Sequence, residues 1–249
     1  MVYLRARHTS SLVLAAAVAL GLSACTSSPP AVKAKPASPS SSPRVAAGSA
    51  AALFQQMRNS STAAKSVRIK GALGNATNTA ARVQIDIAGD RAGKNTRVTA
   101  NDGTGALEIL TVGGKSYLKA DAAYWTKNGS AAIARIAADK YVEVPAGSAA
   151  VMGDLTVGRL LDRVFAKDIS TVDTLNTKVN SADVNGVPAY LMTTKGTATK
   201  IYVSVDGLAH LLRVQSPKGG QTALDFSQWD AVPPATPPPA DRVAKIPGL

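Results

Sequence analysis

The residues with the most specific chemistry in this chain are Leu22-Ser23-Ala24-Cys25, a run that ends in the only cysteine. Small residues directly before a cysteine, at the end of a short apolar segment, are typical of a secretory signal that is cut just before the thiol. The thiol and the new α-amine can then take up fatty acyl groups, as a diacylglyceryl thioether and an N-acyl amide. We therefore predict that Cys25 is acylated and becomes the first residue of the mature chain.

The segment before Cys25 has the parts of a secretory signal peptide. Arg5 and Arg7 supply positive charge, and an apolar run of eleven residues follows at positions 12–22. A membrane-spanning helix needs about 20 apolar residues, so this run is too short to be a permanent anchor. We predict a lipoprotein signal peptide over 1–24 and lipid anchoring on the extracytoplasmic side of the cell membrane, because two acyl signals hold a protein stably on a bilayer. The alternative is an ordinary secreted protein with a chance cysteine.

The distribution of proline divides the rest of the chain. Of fourteen prolines, five lie in 26–47, six lie in 231–249 and three lie between. The first of these segments is rich in Ser, Pro and Ala, and it has too few large apolar side chains to offset the entropy lost on ordering. We predict a lipid-anchored linker over 25–47, one folded domain over 48–230, and a Pro-rich tail over 231–249.

The formal net charge of +12 is concentrated near the predicted anchor. Residues 1–85 hold ten Lys or Arg and no acid, whereas residues 86–249 hold eighteen basic and sixteen acidic residues. A tethered chain meets anionic lipid head groups first, and each basic residue near such a surface contributes about 1 kcal/mol. The alternative is that the basic residues only aid solubility. Aromatic residues make up only 4% of the chain, and no basic helix or zinc pattern occurs, so no nucleic-acid partner is predicted.

Hydrophobic periodicity predicts an α+β domain. Apolar residues with helical spacing predict helices over 48–64, 130–139 and 155–165. Apolar residues that alternate with polar ones predict strands at 67–70, 82–87 and 201–205. Turns are predicted at Gly113-Gly114, Asn185-Gly186, Asp206-Gly207 and Lys218-Gly219-Gly220. A meander with few helices must bury them on one face of a curved sheet, so we predict a mostly antiparallel half-barrel wrapped around a few helices.

The order of these elements resembles that of the LppX/LprG-type actinobacterial envelope lipoproteins over about residues 50–240. The segments that carry the resemblance are Ser66–Gly71, Tyr117–Ala120 leading to Tyr124-Trp125, Lys140–Pro145, and Asp225–Trp229 before the Pro-rich tail. The resemblance implies a LolA-like half-barrel that binds or carries an acylated lipid or glycolipid between sheet and helices. It also implies a membrane transporter as a candidate partner, and it brings no catalytic motif.

Nine apolar residues are expected to face the volume that such a half-barrel encloses. They are Phe54, Met57, Ile85, Ile87, Leu107, Ile109, Leu160, Val164 and Val203. The same pattern is typical of an ordinary packed core, so a ligand cavity and a filled core both remain open. A filled core with an exposed apolar patch would favour a structural or regulatory envelope lipoprotein that acts through protein partners.

The histidines and the cysteine limit the catalytic chemistry of the mature chain. His8 leaves with the signal peptide, so His210 is alone, and Cys25 is consumed by acylation. A Ser-His-Asp triad can therefore draw on His210 only, and neither a Cys-His pair nor a multi-histidine metal site can form within one mature chain. The period-two run Leu208, His210, Leu212, Val214 predicts a strand in which His210 is half-buried.

One further motif has catalytic spacing. Ser116 and Lys119 match the S-x-x-K pattern of penicillin-interacting enzymes, which requires serine and lysine one helical turn apart. On a strand, residues three apart point to opposite faces. We predict no enzyme activity, no metal and no cofactor. A hydrolase built from two carboxylates that are distant in sequence remains the alternative.

Overall fold

The structure is a computed structural model that describes residues 49–74, 82–103, 105–144, 156–169, 172–216 and 222–246. Cys25, the predicted signal peptide and the predicted linker lie outside these residues, as does the predicted turn at Lys218-Gly219-Gly220.

The described residues form four α-helices and twelve β-strands. The helices are α1 (Ala50–Ala63), α2 (Ala122–Asn128), α3 (Ala131–Ala137) and α4 (Val157–Arg163), and a π-helical turn (Val164–Asp168) follows α4. The first six strands are β1 (Ser66–Gly74), β2 (Arg82–Asp90), β3 (Thr96–Asn101), β4 (Ala106–Val112), β5 (Lys115–Ala120) and β6 (Tyr141–Val144). The other six are β7 (Thr177–Val184), β8 (Val187–Thr194), β9 (Lys200–Ser204), β10 (Leu211–Ser216), β11 (Thr222–Ser227) and β12 (Val243–Ala244).

All twelve strands belong to one open sheet in the order β12-β6-β5-β4-β3-β2-β1-β11-β10-β9-β8-β7. Every neighbouring pair is antiparallel except β12 with β6, which is parallel. Most neighbours are consecutive in sequence, and the pairing of β1 with β11 joins the run β1–β6 to the run β7–β11 within the open sheet. The predicted α+β class, a mostly antiparallel half-barrel with a few helices, is confirmed.

Two of the predicted hairpin turns form as expected. Gly113 and Gly114 connect β4 to β5 with φ values of 60° and 78°, and Asn185 and Gly186 connect β7 to β8 with φ values of 53° and 85°. A two-residue turn with positive φ at both positions twists in the sense of the flanking strands, and Gly and Asn tolerate that conformation best. The turn residues therefore set the register of both hairpins.

The inner face of the sheet buries the main core. In β2, Ile85 and Ile87 are buried while the residues between them are more exposed, as the period of a strand requires. Met57 of α1 and Leu160 of α4 pack into the same cluster. Helices α1 and α4 therefore lie on the inner face of the sheet, and the apolar side of each helix packs against the strands.

The outer face carries rows of charged side chains across neighbouring strands. Arg68 donates from Nε to Asp86 Oδ1 at 2.9 Å and from Nη2 to Asp86 Oδ2 at 2.6 Å, and Lys70 Nζ lies 3.4 Å from the same carboxylate. Partial burial alone would raise the pKa of Asp86, but the hydrogen bonds and charges of Arg68 and Lys70 outweigh burial and lower it. Asp86 is therefore the ionic centre of the β1–β2 pair on this face.

Replacing Asp86 with asparagine is expected to lower the free energy of unfolding by about 1 kcal/mol at neutral pH, because the ion pairs are partly exposed. Since the pKa of Asp86 is lowered in the folded state, its stabilisation is present above the unfolded carboxyl pKa of about 3.9 and is lost as pH falls through the folded value. Urea denaturation as a function of pH should show wild type and variant converging in acid. A difference that stays constant into strong acid would contradict this account of the pair.

The C-terminal segment packs on the outer face at the other end of the sheet. Leu110, Val112 and Tyr117 form a small buried cluster there, and Ala235 and Val243 pack against it. Strand β12 continues from this contact and pairs with β6. Within the predicted Pro-rich tail, the described residues thus extend the sheet and cover part of its outer surface.

One helix was missed and two local predictions were wrong. The stretch after β5 forms helix α2, which the sequence patterns had not indicated. The connection at Asp206-Gly207 is a six-residue loop between Ser204 and Leu211 instead of a two-residue turn. His210 lies in this loop and not in a strand, since Ala209 has a φ of 54° and Asp206 Oδ1 accepts a hydrogen bond from Leu208 N at 3.0 Å. Such a side-chain contact to the backbone favours a turn over a strand.

Beyond this loop a β-bulge between Leu211 and Arg213 breaks the predicted alternation. Leu211 and Val214 join the main core, whereas the predicted pattern had placed Leu208, Leu212 and Val214 on one face. A bulge inserts one extra residue into a strand, so the side chains on either side of it change face.

Candidate functional site

A pocket of about 730 Å³ lies between one end of the inner sheet face and helix α2. Volumes of about 300–1,000 Å³ are typical of small-molecule sites in proteins. We call this site the inner pocket. Its lining residues are Val83, Ala100, Asn101, Asp102, Gly105, Ala106, Leu107, Asp121, Ala123, Tyr124, Lys127 and Asn128.

The inner pocket has an apolar wall and a polar rim. Val83 and Leu107 belong to the wall and also pack against the main core. Leu107 contacts the smaller cluster under α2 and α3 as well, which includes Trp125. The polar side chains of the rim are Asn101, Asp102, Asp121, Lys127 and Asn128. The pocket therefore suits a ligand with one apolar part and one polar part.

Helix α2 is held in place by its cap and by one aromatic anchor. Asp121 Oδ1 accepts a hydrogen bond from Tyr124 N at 2.8 Å, which satisfies a backbone donor of the first turn. Trp125 is buried beneath the helix, and its ring meets that of Tyr124 edge to face with centroids 5.4 Å apart. The cap and the buried indole together fix the position of Tyr124 in the pocket wall.

Gly105 allows the β3–β4 connection to approach the start of α2. A Cβ atom on Gly105 would lie 2.8 Å from Asp121 Oδ2, which is closer than real Cβ atoms come to other heavy atoms. A side chain at this position would push the capping carboxylate away. Glycine is therefore favoured here because it leaves the Asp121 carboxylate in its capping position, and not because of its backbone angles.

Replacing Asp121 with alanine is expected to cost about 1 kcal/mol of unfolding free energy, because the first turn of α2 loses its cap. Asp121→Asn is the matched control, since its side-chain oxygen can still accept from Tyr124 N. Urea denaturation of both variants measures the difference. An alanine variant as stable as the asparagine variant would show that the cap does not hold α2.

The structure brings all nine residues of the predicted cavity into one cluster. Seven of them are 7% exposed or less: Met57, Ile85, Ile87, Ile109, Leu160, Val164 and Val203. Phe54 and Leu107 are partly buried and pack against the same cluster. Leu107 is the member of the nine that lines the inner pocket, and the contact of the others with a ligand stays a prediction.

Of the twelve residues that line the inner pocket, sequence reasoning named only Leu107 as a cavity residue, and three of the others show why the rest were missed. Val83 belongs to the alternating run of β2, so the sequence predicts that its side chain points inward. The sequence did not predict that this end of the strand borders a pocket. Ala100 is too small to stand out in a pattern. Tyr124 entered only through the family resemblance, in the segment to which Tyr117–Ala120 leads, whereas Asp121 before it is the helix-start signal that could have identified α2.

The other residues that the sequence suggested for catalysis are not brought together. Ser116 lies opposite Val144 and Lys119 lies opposite Tyr141 in the β5–β6 pair, so the two point to different faces of the sheet. Within the part of the chain that the structure describes, no three His, Cys, Asp or Glu side chains are close enough to hold a metal ion. In the same residues, no helix is both long enough and apolar enough to cross a bilayer.

Comparisons with known proteins give matches among solved structures. No protein-family model matches the chain, and no curated protein matches it. The crystal structure of the lipoprotein LppX from Mycobacterium tuberculosis matches with a TM-score of 0.42 and 11% identity, over 75% of this chain and 98% of that one. The crystal structure of MucB in complex with MucA(peri) matches with a TM-score of 0.30 and 10% identity, over 72% of this chain and 54% of that one. LppX gives its name to the family that the order of sequence elements resembles, and at this identity the likeness concerns the fold alone.

Proposed function

We propose that this protein is a membrane-anchored envelope lipoprotein that binds the acyl part of an acylated lipid or glycolipid in the inner pocket. The observation that carries the proposal is the 730 Å³ pocket between sheet and helix, with its apolar wall and polar rim. The protein acts by binding and shielding, and no catalytic step is part of the proposal.

Burial of acyl chains supplies the binding energy. Each enclosed methylene contributes about 0.8 kcal/mol, so ten of them contribute about 8 kcal/mol. That amount is comparable to the cost of association, and it grows with chain length. Val83, Leu107 and Tyr124 offer the apolar surface against which such a chain would pack.

The polar rim would remain in contact with the head group and with water. Lys127 and Asn128 lie on the last turn of α2 and are exposed, whereas Asp121 lies at its first turn. If an amphiphile enters with its acyl chain first, its polar head group lies beside these rim side chains. The arrangement therefore supports a ligand that is bound by its tail and oriented by its head.

The anchor supports a role at a membrane. An acylated Cys25 followed by a 22-residue Ser/Pro-rich stretch (26–47) would keep the domain near the bilayer from which the lipid comes. Tethering raises the effective concentration of the carrier at the donor membrane without any new contact. A membrane transporter is the partner that such a carrier would serve.

A structural or regulatory role through protein partners is the second candidate function. Four large apolar side chains are exposed among the described residues: Ile136 at 43%, Leu175 at 94%, Val187 at 47% and Leu208 at 58%. Exposed apolar side chains of this kind would suit a small contact with a protein partner. This candidate needs no ligand in the inner pocket.

Native mass spectrometry of the full chain, purified in mild detergent from an actinobacterial host, tests the proposed function. We expect a mass that exceeds that of the acylated chain by one lipid, and lipid extraction should release that lipid in near-stoichiometric amount. A mass equal to that of the acylated chain alone, unchanged after added lipid, would contradict lipid binding and favour the second candidate.

A further inference from the structure

A second pocket, of about 640 Å³, lies on the outer face of the sheet, away from the inner pocket. Strands β1, β10 and β11 form its floor, and the β7–β8 turn and the β9–β10 loop form its sides. We call it the outer groove. None of the residues of the inner pocket takes part in it.

Stacked rings form one wall of the outer groove. The rings of His210 and Trp229 are nearly parallel at 7°, with centroids 5.3 Å apart, and Phe226 stacks on Trp229 at 6.1 Å. Trp229 Nε1 donates to the carbonyl oxygen of Leu211 at 2.9 Å, which fixes the indole. The groove thus has a rigid aromatic wall before any ligand arrives.

The β9–β10 loop is held in a fixed conformation beside this wall. Asp206 Oδ1 accepts from Ser204 Oγ at 2.7 Å and from Leu208 N at 3.0 Å. From α1, Gln56 Nε2 donates to the carbonyl oxygen of Gly207 at 2.6 Å and Ser60 Oγ donates to that of Ala209 at 3.2 Å. These bonds hold Leu208 at the rim with 58% of its surface exposed. A binding site that is ordered in advance loses less entropy when a ligand binds.

The charged side chains that line the outer groove already have partners. Arg68 and Lys70 both pair with Asp86. Asp225 accepts from Arg213, with Nη2 to Oδ2 at 2.8 Å. Asp206 accepts the two bonds of the loop. An ionic ligand would have to compete with these pairs, whereas an uncharged ligand can use the remaining donors and acceptors.

From this arrangement we infer that the outer groove is a binding site for a neutral sugar ring. A sugar presents C–H groups on its faces and hydroxyls around its edge. The C–H faces match Leu208 and the ring of His210, which is stacked on Trp229, and the hydroxyls match polar side chains such as Ser227 and Gln228 at the groove. Rigid aromatic side chains supply contact area at low entropic cost. Charged side chains that are already paired can still form hydrogen bonds with the sugar hydroxyls, and no ion is left unpaired.

Tryptophan emission reports on the groove through Trp229, and the variants below separate this response from that of Trp125, whose indole packs in the smaller core cluster. The full chain, in a polyoxyethylene detergent that carries no sugar, is titrated with neutral tetrasaccharides of glucose, mannose or N-acetylglucosamine while tryptophan emission is recorded. Inositol hexakisphosphate serves as the anionic probe. We expect a saturable change with at least one tetrasaccharide and none with the anion.

Three variants locate the response. Ser227→Tyr, which places a ring in the groove, should abolish it, and Ser181→Tyr, an exposed position on β7 outside the groove, should leave it unchanged. His210→Ala removes one face of the wall and should weaken binding about tenfold, as the loss of an aromatic contact does. Circular dichroism of each variant checks that it folds.

Two sources of the sugar are separated in the same assay. Micelles of the same detergent with and without a glycolipid of glucose, mannose or N-acetylglucosamine are compared with the free tetrasaccharides. A response to free sugar that Ser227→Tyr abolishes assigns the groove to soluble or polymeric glycan, and a response to the glycolipid alone that Ser227→Tyr abolishes assigns it to a membrane head group. No response to either, a response to the anion alone, or a response that persists in Ser227→Tyr would overturn the inference.

Discussion

Replacing Ala123 with tryptophan is expected to weaken lipid binding about tenfold, a loss of about 1.4 kcal/mol of binding free energy, and so to lower the fraction of the protein that retains lipid on purification. Ala123 lies on α2, is exposed, and lines the inner pocket. An indole at this position occupies volume that an acyl chain would fill. Because the site is exposed, the folded domain should be little affected. Quantitative lipid extraction, normalised to protein, measures the change.

Ala122→Trp is the matched control for this experiment. It makes the same substitution one residue earlier on the same helix, also at an exposed position, but outside the pocket lining. Both variants keep Cys25, so lipid attached to the anchor is equal in the two. If Ala122→Trp loses as much lipid as Ala123→Trp, or if neither loses any, the ligand does not occupy the inner pocket.

Replacing Leu160 with alanine is expected to cost about 2–5 kcal/mol of unfolding free energy, the usual range for a buried leucine. Leu160 is 1% exposed and belongs to the cluster that joins α4 to the sheet. Leu175→Ala is the matched control, because Leu175 is 94% exposed and the chemical change is the same. The control should alter stability by no more than about 0.5 kcal/mol. Urea denaturation of both variants gives the two values.

The Leu160 result also separates the two interpretations of the nine-residue cluster. A packed core loses contacts and gains a void when leucine becomes alanine, so stability falls steeply. A residue that faces a space filled by mobile ligand loses less, since the ligand can fill the gap. A cost below about 1 kcal/mol, far under the range for buried leucine, would therefore favour a ligand cavity at Leu160.

The sequence predicted the sheet where local chemistry alone determines it. In β2, apolar and polar residues alternate, and the buried positions are the apolar ones. Gly113-Gly114 and Asn185-Gly186 supply the positive φ values that two-residue turns need. Ser49 caps α1 by accepting from Ala52 N, close to the predicted start of that helix. Each of these signals lies within a few residues of the structure it specifies.

The rest depends on contacts between distant segments. The β9–β10 loop is fixed partly by Gln56 and Ser60 of α1, about 150 residues earlier in the chain, so the local run around His210 could not reveal it. The bulge in β10 likewise depends on its partner strand β9. In the inner pocket, Leu107 was predicted as a residue that faces the enclosed volume, but the part played by Tyr124 required knowing where α2 docks. Side-chain direction is a local property, whereas the shape of a pocket is not.

Photo-crosslinking tests the central claim, that an acyl chain lies between the sheet and α2, most directly. A phospholipid with a diazirine near the end of one acyl chain is incubated with the full chain in detergent, irradiated, and the adducts are located by peptide mapping. We predict adducts on the peptides that contain Val83, Leu107 and Tyr124, which Ala123→Trp should remove. Adducts that fall on the outer face, or that persist unchanged in Ala123→Trp, would contradict the claim.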